Sequence, residues 1–212
     1  MKPVLGVFGG MFDPVHDGHL QAAHFLIDIL GLQRIVVVPC GIPNHRETAA
    51  SSGEHRMNML RLAMAEIPQA EICDYEVNKQ GISYSVDTLA WLKQSNPDSR
   101  LIFLMGIDAF NGLPGWHNWQ RILTLSNLMV LPRSGESVAE NVESATDLAR
   151  RAVRSPSELL ASDAGAIWLD ASFDFDISST TVRRQLQSGG RPGCVQESVL
   201  GYIKEHRLYG QG

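Results

Sequence analysis

The chain has 212 residues, 44% hydrophobic and 19% charged, a profile of ordinary globular proteins that excludes disordered, collagenous and fibrous classes. A net charge of −5 and a pI near 5.8 exclude a general attraction to nucleic acid or anionic lipid, which requires accumulated Lys and Arg. No nucleic-acid or membrane partner is therefore expected, and any anionic ligand must be held by a local site. No apolar run approaches the roughly 18–20 residues that cross a bilayer, and Met1 to Gly6 lack the apolar stretch of a secretory signal, so a cytoplasmic location is expected. Three cysteines, Cys40, Cys73 and Cys194, form no CxxC pair and imply neither a disulfide framework nor a zinc knuckle.

The opening Val4–Phe8 reads as a buried strand running into glycines, and Ala23, Leu26 and Leu30 give Leu20 to Leu30 a helical period. A second strand, Arg34 to Pro39, is rich in β-branched residues and short enough to be buried on both faces, which makes the first crossover βαβ. The pattern then predicts a helix from Glu54 to Ile67, a strand from Ile72 to Val77, a helix from Ser85 to Lys93 and a strand from Leu101 to Met105. A helix from Trp119 to Leu125 and a strand from Leu128 to Leu131 follow. Ser134 to Gly165 has weaker periodicity and is expected to be a surface excursion with one or two short helices. A strand from Ala166 to Leu169 and helices from Ser179 to Gln187 and Val195 to Glu205 end the chain. This alternation predicts an α/β fold, a Rossmann-like doubly wound, mostly parallel sheet with helices on both faces and ligands at the carboxyl ends of the strands. One domain over 1–212 is expected, with a C-terminal helical part at about 178–212.

The densest chemical signal is Gly9-Gly10-Met11-Phe12-Asp13-Pro14-Val15-His16-Asp17-Gly18-His19. Glycines permit close backbone approach, a helix start favours phosphate, and His16 and His19 would add donors toward the same anion. GxxxxGK[ST], GxGxxG, HExxH and GxSxG are all missing, and His45-Arg46-Glu47 lacks the later PCxxC of the zinc deaminases. The second signal is Ile177-Ser178-Ser179-Thr180-Thr181-Val182-Arg183-Arg184. Its hydroxyls are helix caps in the first instance. Arg183, one turn beyond Ser179, can lie over the same helix start, so that hydroxyls, amides and a guanidinium converge on a polyphosphate, while Arg184 projects to solvent.

These two elements resemble the nucleotidyltransferase superfamily with HxGH and ISSTxxR motifs, and more narrowly the bacterial nicotinate-nucleotide adenylyltransferases. Further family features fall in order between them: Pro43-Asn44-His45-Arg46, Tyr84-Ser85-Val86-Asp87-Thr88, Gly106-Ile107-Asp108 and Trp116-His117. Asn44, Arg46, Ser85 and His117 stand where the family often has proline, lysine, threonine and tyrosine.

The resemblance implies transfer of AMP from ATP to nicotinate mononucleotide, giving nicotinate adenine dinucleotide and pyrophosphate. It implies His16, His19 and Arg183 as catalytic residues. ATP would be bound by Gly9, Gly10, Phe12, His16, His19, Gly106, Asp108, Ser178, Thr180 and Arg183. His45, Arg46, Tyr84, Ser85, Trp116 and His117 would bind the acceptor. Mg²⁺ is expected on the ATP phosphates, with no protein-borne metal cluster. Two alternatives stay open at this point: transfer to another phosphorylated acceptor, such as nicotinamide mononucleotide or pantetheine phosphate, and nucleotide sensing without turnover.

Overall fold

The computed structural model describes residues 2–44, 49–132, 136–170, 172–173 and 177–210. In chain order its elements are β1 (Val4–Gly10), α1 (Asp17–Leu30), β2 (Ile35–Pro39), β3 (Ile42–Pro43), α2 (Gly53–Ala63), β4 (Ala70–Ile72), α3 (Tyr75–Asn78), β5 (Ile82–Ser83) and α4 (Ser85–Ser95). There follow β6 (Arg100–Gly106), α5 (Ile107–Asn111), α6 (Trp119–Leu125), β7 (Ser126–Leu131), α7 (Glu140–Thr146), α8 (Leu148–Arg151) and β8 (Ala152–Val153). The last are α9 (Pro156–Ala161), β9 (Ile167–Leu169), α10 (Ser179–Gln187) and α11 (Glu197–Glu205).

Seven strands form one sheet in the order β4-β2-β1-β6-β7-β9-β8, every pair parallel. The β-branched and aliphatic runs suit it because both faces are covered. Side chains alternate between the two sides: Ile35 and Val37 of β2 and Ile102 and Leu104 of β6 pack with α1, α2, α10 and α11, whereas Val36, Val38, Leu101 and Phe103 pack with α4, α5 and α6. Residues of the two C-terminal helices, including Val182, Leu186, Val199 and Ile203, share the first of these cores. The chain thus leaves β1 toward one face and β6 toward the other, and a crevice opens between their carboxyl ends.

Several sequence expectations are corrected. The strand predicted from Ile72 to Val77 is a strand only over Ala70–Ile72, and Tyr75–Asn78 turns into the short helix α3. Asp74 accepts from the Asn78 side chain at 2.8 Å, and the buried Glu76 carboxylate accepts from Thr88 Oγ1 at 2.6 Å. These polar contacts override the alternating pattern. The helix predicted to reach Ile67 ends at Ala63, and β1 continues through both glycines, which pair with Val38 and Pro39. Helix α1 begins at Asp17, three residues early. A short parallel ladder, Ile42 with Ile82 and Pro43 with Ser83, was not legible because two-residue strands show no period.

The expected excursion holds three short helices and an edge strand among its described residues, and it buries Val142, Leu148 and Leu159. Helices of four to seven residues are too short to display the 3.6-residue repeat from which they would be read. Asn127, on β7 and fully buried, fastens this segment. Its Nδ2 donates to the carbonyls of Leu159 and Ser162 at 3.1 and 2.9 Å, and its Oδ1 accepts from the Ala166 N–H at 3.0 Å. Asn127→Leu keeps the branched outline of the side chain but removes the partner of three backbone groups, those of Leu159 and Ala166 being on buried residues. It is expected to lower the free energy of urea unfolding by about 1–3 kcal/mol or more, with the slope against urea unchanged.

Candidate active site

The crevice at the carboxyl ends of β1 and β6 is a cavity of about 800 Å³, within the range of small-ligand sites. Every described residue among the sequence candidates lines it: Gly9, Gly10, Phe12, His16 and His19 from the first loop, and Gly106 and Asp108 from the end of β6. Tyr84, Ser85, Trp116 and His117 form one wall, and Ser178, Thr180 and Arg183 close the other side. His45 and Arg46 lie outside the described residues.

The glycine loop is built on aromatic packing. Phe12 adopts the left-handed conformation, φ +51°, which is sparsely populated for a residue with a Cβ. Its ring folds back over Gly10, where a Cβ would stand 2.9 Å from the ring, and a Cβ on Gly9 would touch Phe103 at 3.3 Å. The glycines make room for rings as well as for a ligand. At Gly106, by contrast, a Cβ would meet nothing within 4 Å, so that position faces open space at the mouth of the crevice.

His16 caps α1 and is buried, and His19 sits one turn in, with the two ring centroids 3.8 Å apart. The His16 backbone N–H donates to His19 Nδ1 at 3.2 Å, the role that Glu or Gln plays in a capping box. Because a backbone amide can only donate, Nδ1 must be unprotonated, and a neutral His19 carries its proton on Nε2. Burial, reinforced by the neighbouring His16, holds the His19 pKa well below the usual imidazole value. The Phe12 ring stands edge-on against His19 at 4.9 Å and fixes its plane. One donor expected to face the ligand is spent elsewhere: the Asp17 N–H, in the first turn of α1, donates to the Cys194 carbonyl at 2.8 Å.

The second motif meets the first directly. Ser178 caps α10 by accepting from the Thr181 N–H at 3.2 Å, and Ser179 Oγ donates to the Pro14 carbonyl at 3.0 Å. Arg183 Nη1 donates to the Asp13 carbonyl at 2.7 Å and Nη2 to Thr180 Oγ1 at 3.3 Å. The guanidinium therefore spans from its own helix start to the glycine loop, with further N–H donors on the same fork. Arg184 is exposed, as expected.

On the opposite wall the Tyr84 and His117 rings lie 4.3 Å apart, which brings the first turn of α4 beside the Trp116-His117 turn. Trp116 closes the turn Leu113–Gly115 by donating its N–H to the Leu113 carbonyl at 2.9 Å, and its half-buried ring approaches Phe103 at 6.5 Å.

Residues that the sequence did not single out hold the loop from beneath. Asp13 is 2% exposed, and its carboxylate accepts from Ser51 Oγ, Tyr209 OH and the Ala50 N–H, each at 2.6 Å. Arg56, also buried, donates to the Met11 carbonyl at 2.9 Å; burial draws its pKa down, and the Asp13 charge opposes that shift. Asp13 stood inside the motif with no local feature to mark it. Ser51, Arg56 and Tyr209 have no sequence signal at all. The hydrogen-bond geometry fixes the tautomer of His19, so nitrogen-15 NMR between pH 6 and 8 is expected to show a pyridine-like Nδ1 and a protonated Nε2. A doubly protonated ring in that range would contradict it.

Comparison with known proteins identifies the family of the chain. Residues 7–185 match the cytidylyltransferase-like family model. A curated relative from Hahella chejuensis, named "Probable nicotinate-nucleotide adenylyltransferase", is 41% identical over 96% of this chain and 94% of its own length. One of the same name from Aeromonas hydrophila is 38% identical over 99% and 98%. Among solved structures, nicotinic acid mononucleotide adenylyltransferase of Plasmodium falciparum complexed with NaAD superposes with a TM-score of 0.77 at 17% identity, over 99% of this chain and 98% of that one, a likeness of fold. The chain belongs to the cytidylyltransferase-like family and, within it, to the nicotinate-nucleotide adenylyltransferases.

Proposed function

We propose that this protein transfers the adenylyl group of ATP to nicotinate mononucleotide, forming nicotinate adenine dinucleotide and pyrophosphate, a cytoplasmic step of NAD biosynthesis. What supports this reading most is Arg183. Its guanidinium joins the start of α10 to the glycine loop at the reversal point of a parallel sheet, and it gathers imidazoles, hydroxyls and a fixed cation around one cavity. That donor set suits a polyphosphate.

The chemistry asks little of a base. A phosphate monoester has a second pKa near about 6, so the attacking oxygen of the acceptor is largely deprotonated at neutral pH. That oxygen bonds to the α-phosphorus of ATP, the bond from the α-phosphorus to the bridging oxygen breaks, and pyrophosphate leaves with both electrons. The residues position the groups and stabilise charge. His19, neutral with its proton on Nε2, donates to the α-phosphate, with His16 beside it. Ser178, Thr180 and Arg183 hold the β- and γ-phosphates. Gly9, Gly10 and Phe12 form the floor, and Gly106 and Asp108 take the adenosine side, where the open face of Gly106 admits close approach.

A divalent cation fits this donor set in one way. Among the described residues no group of three or more His, Cys, Asp or Glu side chains is placed to hold a metal ion, and the Asp13 carboxylate is already engaged by three donors. Mg²⁺ would therefore ride on the ATP phosphates and water, where it would neutralise charge on the oxygens.

The acceptor lies against the other wall. Trp116 is the stacking face for the pyridine ring, its carboxylate meets backbone amides near Ser85 and His117, and His45 and Arg46 take its phosphate.

The reading is tested with ATP, Mg²⁺ and a panel of phosphorylated acceptors, with pyrophosphate as the readout. Nicotinate mononucleotide is expected to be the preferred acceptor, and release with a different acceptor alone would overturn the assignment. His19→Ala is expected to lower kcat/KM at least roughly 10²-fold with the fold retained, the scale of losing one preorganised donor. Near-normal turnover in that variant would remove His19 from the mechanism. Trp116→Ala should raise KM for nicotinate mononucleotide much more than KM for ATP, since base–aromatic stacking contributes about 1–3 kcal/mol. Equal KM values in variant and parent would leave Trp116 as a residue that only pins its loop to Phe103.

A further inference from the structure

We infer that Tyr209 is a positioning residue of this site, acting with Ser51 through the Asp13 carboxylate to hold in place the loop on which Arg183 is anchored. The inference rests on the proposed function insofar as Arg183 meets the polyphosphate; the placement itself rests on geometry.

Asp13 occupies two roles at once. Its main-chain carbonyl accepts Arg183 Nη1 at 2.7 Å, while its side chain, borne on the same Cα, is gripped by residues from two distant parts of the chain. Tyr209 OH and Ser51 Oγ both reach Oδ1 at 2.6 Å and stand 3.0 Å from each other. Each hydroxyl has one proton. With an ionised carboxylate as the shared acceptor, both protons are directed at Oδ1, and the pair forms a fork on a single oxygen. Oδ2 is taken by the Ala50 N–H at 2.6 Å, so the carboxylate has no rotational freedom left. Burial and the adjacent Asp13 charge push the Tyr209 pKa upward, which keeps the phenol in its donating form.

Tyr209 is 8% exposed and reaches this position by an uncommon backbone route. Both it and Arg207 have positive φ, +56° and +51°, which turns the chain after α11 back toward β1. Residues with a Cβ visit that region rarely; here the Tyr209 ring packs in the apolar core and its hydroxyl is held on Asp13. Ser51 and Ala50 also lie on the segment that leads from Pro43 and Asn44 into α2, and Ala49, Ala50 and Asn44 line the cavity. One carboxylate thereby sets the position of the Arg183 anchor together with one edge of the pocket.

The test compares Tyr209→Phe, Ser51→Ala and Arg183→Lys singly with the double variant Tyr209→Phe/Arg183→Lys, assayed well below each melting temperature. Tyr209→Phe keeps the ring and loses only the hydroxyl. It is expected to lower kcat about tenfold, the cost of a small misplacement, with KM for both substrates within about threefold of the parent. In the Arg183→Lys background the same change is expected to cost less than about twofold, because the group it positions is gone. A purely structural residue would lower the melting temperature and leave the kcat of the folded enzyme alone. Unchanged kcat in Tyr209→Phe, or an equal loss in both backgrounds, overturns the inference. A parent enzyme that releases no pyrophosphate with any acceptor would overturn the proposed function instead. In that event the Arg183 guanidinium NMR signals still decide the matter: they are expected to shift in Tyr209→Phe and Ser51→Ala, and unaltered signals would overturn the inference.

Discussion

A parallel sheet whose strand order reverses at its centre cannot close over its own middle. With β2 and β6 on either side of β1, the chain leaves β1 toward one face and β6 toward the other, and a gap opens between their carboxyl ends. Every element of the site depends on that constraint. The glycine loop and His16 enter from the end of β1, Gly106 and Asp108 from the end of β6, and the remaining residues are brought to the opening from elements that have little else in common.

What joins those elements is mostly polar and long-range. The apolar layers fix the sheet and its helices, but they do not fix a guanidinium to a fraction of an ångström. That precision comes from directional contacts: Arg183 on the Asp13 carbonyl, Ser179 on the Pro14 carbonyl, the Asp17 N–H on the Cys194 carbonyl. Each ties the C-terminal segment to the first loop or to the start of α1. Burying the Asp13 carboxylate is unfavourable unless its oxygens are fully bonded, and the structure meets that condition with donors from two other segments. A half-satisfied arrangement would cost more than an apolar one, so the network has a single favourable geometry.

The sequence was informative where one residue's neighbours in the chain are also its neighbours in space. The run from Gly9 to His19 and the run from Ile177 to Arg183 are local structures, each a turn entering a helix, so residue types and spacing revealed them. The aliphatic strands were visible for the same reason. Legibility failed where tertiary contacts set the outcome. Ile72 to Val77 alternates like a strand, yet Glu76 turns inward to Thr88, and the segment coils. Trp116 and His117 could be marked as an aromatic pair, but the ring contact of His117 with Tyr84 joins residues 84 and 117, and no window contains both. Tyr209 reads as an ordinary aromatic near a helix end. Its partner is 196 positions away, and nothing near it announces a carboxylate.

That separation of 196 residues has a consequence for how the molecule comes into being. The adjacent pairings β1–β2 and β6–β7 close modest loops, whereas the contact between Tyr209 and Asp13 must wait until nearly the whole chain has been brought to one place, since the entropy of loop closure rises with the length enclosed. That contact encloses a far longer loop than either strand pairing does. The last turn of the chain thus completes the seat of the first loop, and the two ends of the sequence are joined at the pocket.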